Sequence, residues 1–559
     1  MSARHPRRKT IATSRRTVFC LALALLVGCR ASMSRPVPEL PPPRTVAESS
    51  GGLATSSHAD VLSFLDAVGA AGDERVVRSR FGTTPGGREL PLVIVADPPV
   101  RDARAARESG RPRVLVMGNI HAGEVEGKEA VQELLREVVW SGDGLQPYPV
   151  HELIVLFAPI YNADGNDAFG PNNRPMQNGP TRTGRRETDA GLDLNRDYMK
   201  QEAAEARALV AMIEAWDPHV VVDLHTTNGS AHGYELTYSP PLTPSAHPDL
   251  LALLQDDWLP TLRRRVRDEH GYELFDYGNF ETAETWAADV PDPERGWRTF
   301  DHRPRFGNNY VGLRNRLAIL SEAYSYLGFE QRIAVTRAFV TEILKLTAER
   351  GDVVIALCRR MDEETAALAA RRELSLATRA EMVPRGPPEP VLLRDARLVT
   401  EAVTGRTVKV SDGPRRAMDL SCFVRFEATE TAMAPSAYLL PPTTGVDGDD
   451  IAALLENHGI RFERLDASRS ERVEVYTVAS TSLAERAFQG HRVRETAWRT
   501  GREGREFPVG TLLVPTDQPL ARVVFHLLDP RADDGLVVWN AFDAALMGPG
   551  AELPVYLLR

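Results

Sequence analysis

The chain has 559 residues, more than one ordinary hydrophobic core can serve, so it predicts at least two folded domains. Its 43% hydrophobic and 26% charged residues are typical of a globular protein. The formal net charge is −10, and without residues 1–28 it becomes −16, because Lys plus Arg falls from 67 to 61 against 77 acids. Phosphate backbones would be repelled, so we expect no nucleic-acid partner.

The N-terminus carries the pattern of an export signal. Residues 1–28 contain six basic side chains and no acid, and their apolar run ends at Leu26-Val27-Gly28-Cys29. This ending resembles the bacterial lipobox, which implies a lipoprotein signal peptide over 1–28, lipidation of Cys29 and attachment to a membrane of the cell envelope. An ordinary signal peptide with an incidental cysteine is the alternative. Residues 29–50, rich in Pro, Ser and Arg, are predicted to form a flexible tether.

From about residue 55, strand-like and helical patterns alternate along the chain. We predict strands at 90–95, 114–117, 151–157, 220–224 and 317–320, and helices at 126–140, 201–216, 249–268 and 331–372. This alternation predicts an α/β sheet with helices on both faces over residues 51–375. The composition changes near Pro384, and we expect a smaller C-terminal accessory domain, β-rich or mixed, over 376–559, with a helix at 449–458.

Side chains that can bind a metal follow two of these strands. His121 and Glu124 come after the strand at 114–117, and His225 ends the strand at 220–224. Two histidines and one glutamate hold catalytic zinc and leave a fourth position for water. A helix-start pair and a buried core histidine are the structural alternatives. His232 is a rival for His225, which we prefer because the end of a strand is held more rigidly than a loop.

A carboxylate and an arginine pair accompany this set. Glu322 follows the apolar strand at 317–320, where a buried acid is costly without a task, which favours a general base and acid. An ion pair with Arg314 or Arg316 is the alternative. Asn195 and Arg196 suit a substrate's terminal carboxylate, because a planar guanidinium and an amide can both donate to it, although a surface salt bridge is also open.

In this order the motifs resemble those of the M14 family of zinc carboxypeptidases, of the carboxypeptidase A type. The resemblance spans roughly residues 80–325 and includes Gly86-Gly87-Arg88-Glu89-Leu90, His121 with Glu124, Asn162-Ala163-Asp164-Gly165, Leu192-Asp193-Leu194-Asn195-Arg196, His225 and Glu322. It implies a mixed central sheet flanked by helices, and one zinc ion held by His121, Glu124 and His225. It also implies hydrolysis of C-terminal peptide bonds by zinc-activated water, with Glu322 as general base.

The resemblance assigns further roles. Asp193 would orient His121, and Asn195 with Arg196 would hold the substrate carboxylate. The arginine that polarises the scissile carbonyl would be Arg186, with Arg185 and Arg174 as rivals. The mobile tyrosine that closes over the substrate would be Tyr310. We therefore expect a zinc metallocarboxypeptidase that acts on a peptide or peptide-like substrate with a free carboxylate.

Two other functions stay open on the same fold. One is an amidase or deacylase acting on cell-wall peptides or acylated amino acids. The other is a non-catalytic peptide-binding protein, which is disfavoured because every catalytic position is filled.

Overall fold

The structure is a computed structural model that describes residues 37–142, 145–227, 229–285, 287–402, 404–442 and 448–559. The predicted signal peptide and Cys29 lie outside these residues. Val37–Arg559 form one compact unit by their contacts, so the predicted boundary at 375/376 stays a prediction. Among the helices of the described ranges, none combines the length and apolar character needed to span a membrane.

A central eight-stranded sheet carries the predicted site. Its strands are β1 (Val76–Thr83), β2 (Glu89–Val95), β3 (Arg113–Gly118), β4 (Ile154–Ala158), β5 (Val220–Thr227), β6 (Leu236–Ser239), β7 (Leu274–Asp276) and β10 (Leu317–Tyr324). They are ordered β1-β2-β4-β3-β5-β10-β6-β7. The neighbours β4, β3, β5 and β10 are parallel, as are β6 and β7, whereas the β1–β2, β2–β4 and β6–β10 pairs are antiparallel. The sheet is mixed, which confirms the predicted fold class.

Helices cover both faces of this sheet. α4 and α10 lie on one face and α6 lies on the other. The α-helices of the described residues are α1 (Val46–Ser49), α2 (His58–Ala70), α3 (Ala103–Glu108), α4 (Glu126–Trp140), α5 (Ala163–Asp167), α6 (Ala204–Trp216), α7 (Pro248–Ala252), α8 (Leu259–Arg265), α9 (Gly307–Leu313), α10 (Phe329–Glu349), α11 (Gly351–Ala370), α12 (Gly448–His458) and α13 (Ala521–Leu528). Short π-helical segments at Leu253–Trp258 and Val266–His270 extend α7 and α8, so the predicted helix at 249–268 is continuous. The predicted helix at 331–372 is instead two helices, α10 and α11, separated at Arg350.

The C-terminal part is rich in β-structure, as predicted. Two short strands, β8 (Asn279–Phe280) and β9 (Trp297–Arg298), precede this part. Within the described residues of the C-terminal part the strands are β11 (Ser375–Val383), β12 (Glu389–Arg394), β13 (Arg397–Thr400), β14 (Thr407–Val410), β15 (Arg415–Leu420), β16 (Cys422–Phe423), β17 (Arg425–Met433), β18 (Ala437–Leu440), β19 (Glu463–Arg464), β22 (Leu512–Pro515) and β23 (Tyr556–Leu558). The long hairpin strands are β20 (Arg469–Leu483) and β21 (Arg494–Phe507). An antiparallel sheet runs β19-β22-β18-β23-β20-β21.

Successive residues of the central strands enter two different apolar clusters. In β5, Val222 belongs to the cluster beneath α4 and α10, and Val221 belongs to the cluster beneath α6. The period of two along a strand produces this alternation, so Asp223 and His225 project to the same face as Val221. Each fully buried apolar side chain contributes roughly 1.5–3 kcal/mol to folding, which fixes the register of β5 and hence the direction of His225.

The C-terminal part packs on this same face of the sheet. Tyr438, Leu455 and Val524 belong to the same buried cluster as Val221. His458, at the end of α12, bonds through Nε2 to the Met199 carbonyl oxygen at 3.0 Å. The face of the sheet that carries the predicted site is therefore the face that the C-terminal part covers.

The end of the predicted tether is held against the body. α1 begins with a capping box between Thr45 and Glu48. Arg136 of α4 donates to both carboxylate oxygens of Glu48 at 2.6 and 2.7 Å, and Trp140 Nε1 donates to the Leu40 carbonyl oxygen at 2.8 Å. The tether prediction over 29–50 is thus wrong for residues from about 40 onward.

Candidate active site

The loop that carries His121 and Glu124 is shaped by an asparagine and a glycine. Asn119, just after β3, has a φ of 66°, and its side-chain amide donates to the Ala122 carbonyl oxygen at 3.3 Å. Asparagine tolerates this left-handed conformation. A Cβ on Gly123 would lie 2.6 Å from Cγ of Arg174. The tight turn after β3 is therefore made at Asn119, and Gly123 makes room for Arg174.

The three predicted metal ligands converge. His121 Nδ1 lies 3.1 Å from Glu124 Oε1, His225 Nδ1 lies 2.9 Å from Glu124 Oε2, and the two Nδ1 atoms are 3.2 Å apart. All three side chains are buried. A tetrahedral zinc ion with Zn–N distances of about 2.0–2.1 Å has ligand-to-ligand separations of about 3.3 Å. The set therefore fits zinc with little rearrangement.

A carboxylate lies within ion-pair distance of the second nitrogen of each imidazole. Nε2 of His121 lies 3.0 Å from Asp193 Oδ1, and Nε2 of His225 lies 3.0 Å from Asp223 Oδ2. Such partners fix the tautomer and leave Nδ1 free for a metal. Asp193 stands where we predicted it. Asp223 was missed, although its position two residues before His225 on one face of a strand was a readable signal.

The charges at the centre favour a cation. Burial raises the pKa of Glu124, but His121 and Arg174 hold the pKa of that carboxyl well below its ordinary value. Burial lowers the pKa of His225, but Asp223 and Glu124 together raise it well above its ordinary value. A protonated His225 cannot bind a metal, so zinc must displace this proton, and zinc affinity falls as the pH falls.

Glu322 lies beside His225 on the next strand. β10 and β5 are parallel neighbours with Glu322 paired to His225, so both side chains project from one face. Glu322 is partly exposed as a residue, but its Oε2 is buried and has no hydrogen-bond partner within the described ranges. Burial raises the pKa of Glu322 to about 8, against the opposing charge of His225. A divalent cation nearby would lower this pKa again, because it favours the carboxylate.

The three candidate arginines have different surroundings. Arg186 contacts Asp193 Oδ2 through Nε at 3.0 Å and Nη2 at 2.9 Å, and its Nη1 lies 3.5 Å from Glu124 Oε1. Its side chain is 35% exposed. Arg174 is buried and donates from Nη1 to Glu124 Oε1 at 3.0 Å. Arg185 forms its ion pair elsewhere on the surface. Of the three, Arg186 is the one that combines contact with the ligand set and exposure.

The predicted carboxylate-binding pair lies on a short 3₁₀ helix, Leu194–Arg196. Asn195 Oδ1 accepts the backbone N–H of Gly307 at 2.8 Å, and the Arg196 guanidinium stacks 3.9 Å from the centre of the Phe306 ring. The backbone N–H of Asn195 donates to Asp193 Oδ1 at 2.9 Å. This turn is thereby joined through Asp193 to His121 and the ligand set.

The position of Tyr310 contradicts the predicted mobile tyrosine. It lies in α9 with no exposed surface, its hydroxyl is 2.8 Å from His458 Nδ1, and it accepts from Arg314 Nη1 at 3.2 Å. A phenol held in this way is a core residue. Tyr277, which motif spacing did not single out, is a buried tyrosine whose phenol is influenced by the charge of Glu322. Burial and the charge of Glu322 both raise the pKa of the Tyr277 phenol.

Comparisons with known proteins agree with this geometry. A family model described as zinc carboxypeptidase matches residues 61–288. Residues 61–288 are therefore similar to the M14 family of zinc carboxypeptidases. The chain is a hydrolase whose cofactor is zinc, as the resemblance implied. The matched range contains the ligand set and ends before β10, which carries Glu322.

Curated relatives extend the similarity. Carboxypeptidase 2 of Trichophyton equinum is 22% identical over 486 residues, covering 85% of this chain and 81% of that protein. Carboxypeptidase 2 of Trichophyton tonsurans is 22% identical over 496 residues, covering 84% and 80%. Because 85% of 559 residues cannot fit within 1–375, the similarity runs into the C-terminal part. A crystal structure of a metallo-carboxypeptidase from Burkholderia cenocepacia is similar over 52% of this chain and 68% of that one, with 17% identity and a TM-score of 0.37.

The ligand set leads to a prediction about metal content. The purified protein should bind about one zinc ion per chain, and His225→Ala should lose most of it, because one of three protein ligands is removed. Metal analysis after dialysis against a weak chelator measures this. His232→Ala is the matched control and should keep its zinc. Unchanged zinc in His225→Ala would remove His225 from the site.

Proposed function

We propose that the protein is a metallocarboxypeptidase that removes C-terminal residues from peptides with a free carboxylate. The observation that carries this proposal is that the Asp193 carboxylate contacts both the metal-ligand set and the Asn195–Arg196 turn. One carboxylate orients the ligand His121, pairs with Arg186 and accepts from Asn195. A carboxylate-binding turn and a zinc site linked by one side chain favour cleavage close to the end of a substrate.

Each residue has a task in this reaction. Zinc held by the ligand set would supply Lewis acidity toward a carbonyl oxygen and lower the pKa of a water molecule. Glu322 accepts the proton of the attacking water and returns it to the leaving nitrogen, which its unpartnered Oε2 leaves it free to do. Arg186 lies where it can stabilise negative charge on the substrate carbonyl oxygen. Arg196 and Asn195 hold the terminal carboxylate.

An amidase or deacylase remains the second candidate, because the carboxylate-binding turn would equally hold the free carboxylate of an acylated amino acid. The two differ in what lies on the other side of the cleaved bond. A carboxypeptidase needs a peptide there, whereas a deacylase accepts an acyl group.

A substrate panel tests the proposal. Peptides with a free C-terminus should be cleaved and the same peptides with an amidated C-terminus should not, and N-acylated amino acids should be poor substrates. Arg196→Ala should raise KM for free-carboxylate peptides by roughly 10- to 100-fold, because a hydrogen bond to a charged group is lost. Arg185→Ala is the control and should leave KM unchanged. Equal cleavage of amidated peptides would contradict the proposal.

The role of Glu322 makes a second prediction. Glu322→Gln should keep zinc and fold but lower kcat by roughly 10²–10⁴-fold, as expected when a general base is removed. A base works when it is deprotonated, so the kcat/KM of the wild type should rise with pH through the pKa of Glu322. This acid limb should be missing from the residual activity of Glu322→Gln. If the variant keeps near-normal turnover, Glu322 is a structural residue.

We also propose that lipidation of Cys29 attaches the protein to a membrane of the cell envelope, on the strength of the Leu26–Cys29 pattern. Acyl chains contribute about 0.8 kcal/mol per buried CH₂, so several chains anchor a protein firmly where one does not. Cys29→Ala should abolish labelling by a radioactive fatty acid and leave the precursor uncleaved, whereas Cys20→Ala, within the signal, should be labelled as the wild type. A soluble wild-type protein whose mature N-terminus is not Cys29 would refute this.

A further inference from the structure

The hairpin between β20 and β21 reaches the predicted active site. Its connecting segment, residues 484–493, is called the tip loop below. Gln489, in this loop, accepts the backbone N–H of Asp193 on its side-chain Oε1 at 2.7 Å. The two residues are 296 positions apart in sequence. A residue of the C-terminal part therefore contacts the carboxylate-bearing residue that orients a zinc ligand.

The backbone of the tip loop does not explain why Gln489 is a glutamine. Phe488 and His491 exchange backbone hydrogen bonds of 2.7 and 3.0 Å, which makes a tight two-residue turn. Its central residues, Gln489 and Gly490, have φ values of 52° and 79°. A turn with two positive φ values prefers asparagine, aspartate or glycine at these places. Glutamine is a costly choice for the turn, so its value lies in the reach of its side chain.

The tip loop is held in place from several sides. His491 Nε2 is 2.6 Å from Glu202 Oε1, and its Nδ1 is 3.2 Å from Asn540 Oδ1. The Phe488 ring stacks near the ring of Trp539, with centroids 6.2 Å apart. These contacts hold the loop in place independently of the Gln489 side chain. Its position against Asp193 is thus a feature of the folded chain and not of one side chain alone.

Asp193 is fixed at both its backbone and its carboxylate. The carboxylate contacts His121 on one oxygen and Arg186 on the other. The backbone N–H of Asp193 donates its hydrogen bond outside the turn, to the side-chain Oε1 of Gln489. A shift of this backbone would move the carboxylate relative to His121, and it would also move Asn195, whose N–H donates to the same carboxylate.

We propose that Gln489 is a positioning residue of the active site, which sets the Asp193–Arg196 turn from the C-terminal part of the chain. Through this turn it orients His121 toward zinc and Arg196 toward the substrate carboxylate. The zinc half of this proposal stands on the contacts of Asp193 alone, and the substrate half rests on the proposed carboxypeptidase function. The C-terminal part is then a component of the site and not an appendage.

The test uses the full chain and three variants. Gln489→Met keeps the length of the side chain and removes the acceptor. Gln489→Asn suits the positive φ but shortens the side chain by one C–C bond of about 1.5 Å, beyond hydrogen-bond reach of Asp193. Arg486→Ala changes an exposed side chain of the same loop and is the matched control. Zinc dissociation constants from chelator competition, kcat and KM for a free-carboxylate peptide, and unfolding temperatures are measured for each.

Gln489→Met and Gln489→Asn should both raise the zinc dissociation constant and KM by roughly 2- to 10-fold, the effect of one neutral hydrogen bond. Arg486→Ala should match the wild type. Gln489→Asn should unfold at the same temperature as the wild type or higher, because asparagine relieves the turn. Weaker zinc binding without loss of stability separates positioning from a general structural role.

The outcomes divide cleanly. If both Gln489 variants equal Arg486→Ala in zinc affinity and in KM, the proposal is overturned. If the wild type fails to cleave C-terminal bonds but Gln489→Asn still weakens zinc, the carboxypeptidase function is wrong and the positioning role stands. If zinc affinity falls only together with the unfolding temperature in both variants, Gln489 is structural and the proposal fails.

Discussion

The site depends on the crowding of three basic side chains. Nδ1 of His121 and Nδ1 of His225 lie about 3 Å from each other and from the carboxylate oxygens of Glu124 in a buried place, and once His225 loses its proton each of these atoms presents a lone pair to the others. Such an arrangement is unfavourable unless a positive charge lies among them. An oppositely charged or polar partner outside the set stabilises each of the three side chains: Asp193 contacts His121, Asp223 contacts His225 and Arg174 contacts Glu124. A zinc ion meets ligands that are already oriented.

The central sheet makes this crowding possible. β3, β5 and β10 are adjacent and parallel, so their carboxyl ends reach the same edge, where the loop after β3 presents His121 and Glu124. Parallel neighbours lie about 4.8 Å apart, which brings His225 and Glu322 side by side without any help from loops. The apolar alternation that fixes the two faces of the sheet also fixes the face on which the chemistry takes place.

Sequence reasoning succeeded where local pattern and strand ends determine the outcome. The helix α4 has the predicted bounds of 126–140, and His121, Glu124, His225 and Glu322 meet because each follows or ends a buried strand. It failed where a long-range contact decides. Tyr310 is assigned as the mobile tyrosine by the family resemblance, but its hydroxyl contacts His458 of α12 and the side chain is buried. Residues 40–50 have the composition of a tether, but Arg136 and Trp140 of α4 hold them. These contact partners are far away in sequence, so no local sequence pattern predicts the contacts.

The same limit explains why the C-terminal part looked separate. Six of its strands form a sheet of their own, and no metal-binding or nucleophilic cluster marks it in the sequence. Yet it packs on the face of the central sheet that bears His225, and a residue with unfavourable backbone geometry at the tip of its longest hairpin touches Asp193. A second sheet that covers the catalytic face must either leave a path to the site or form its wall. The contacts of Gln489, His491 and Phe488 place the tip loop beside the turn that carries Arg196, so the C-terminal part helps to form the surroundings of this turn.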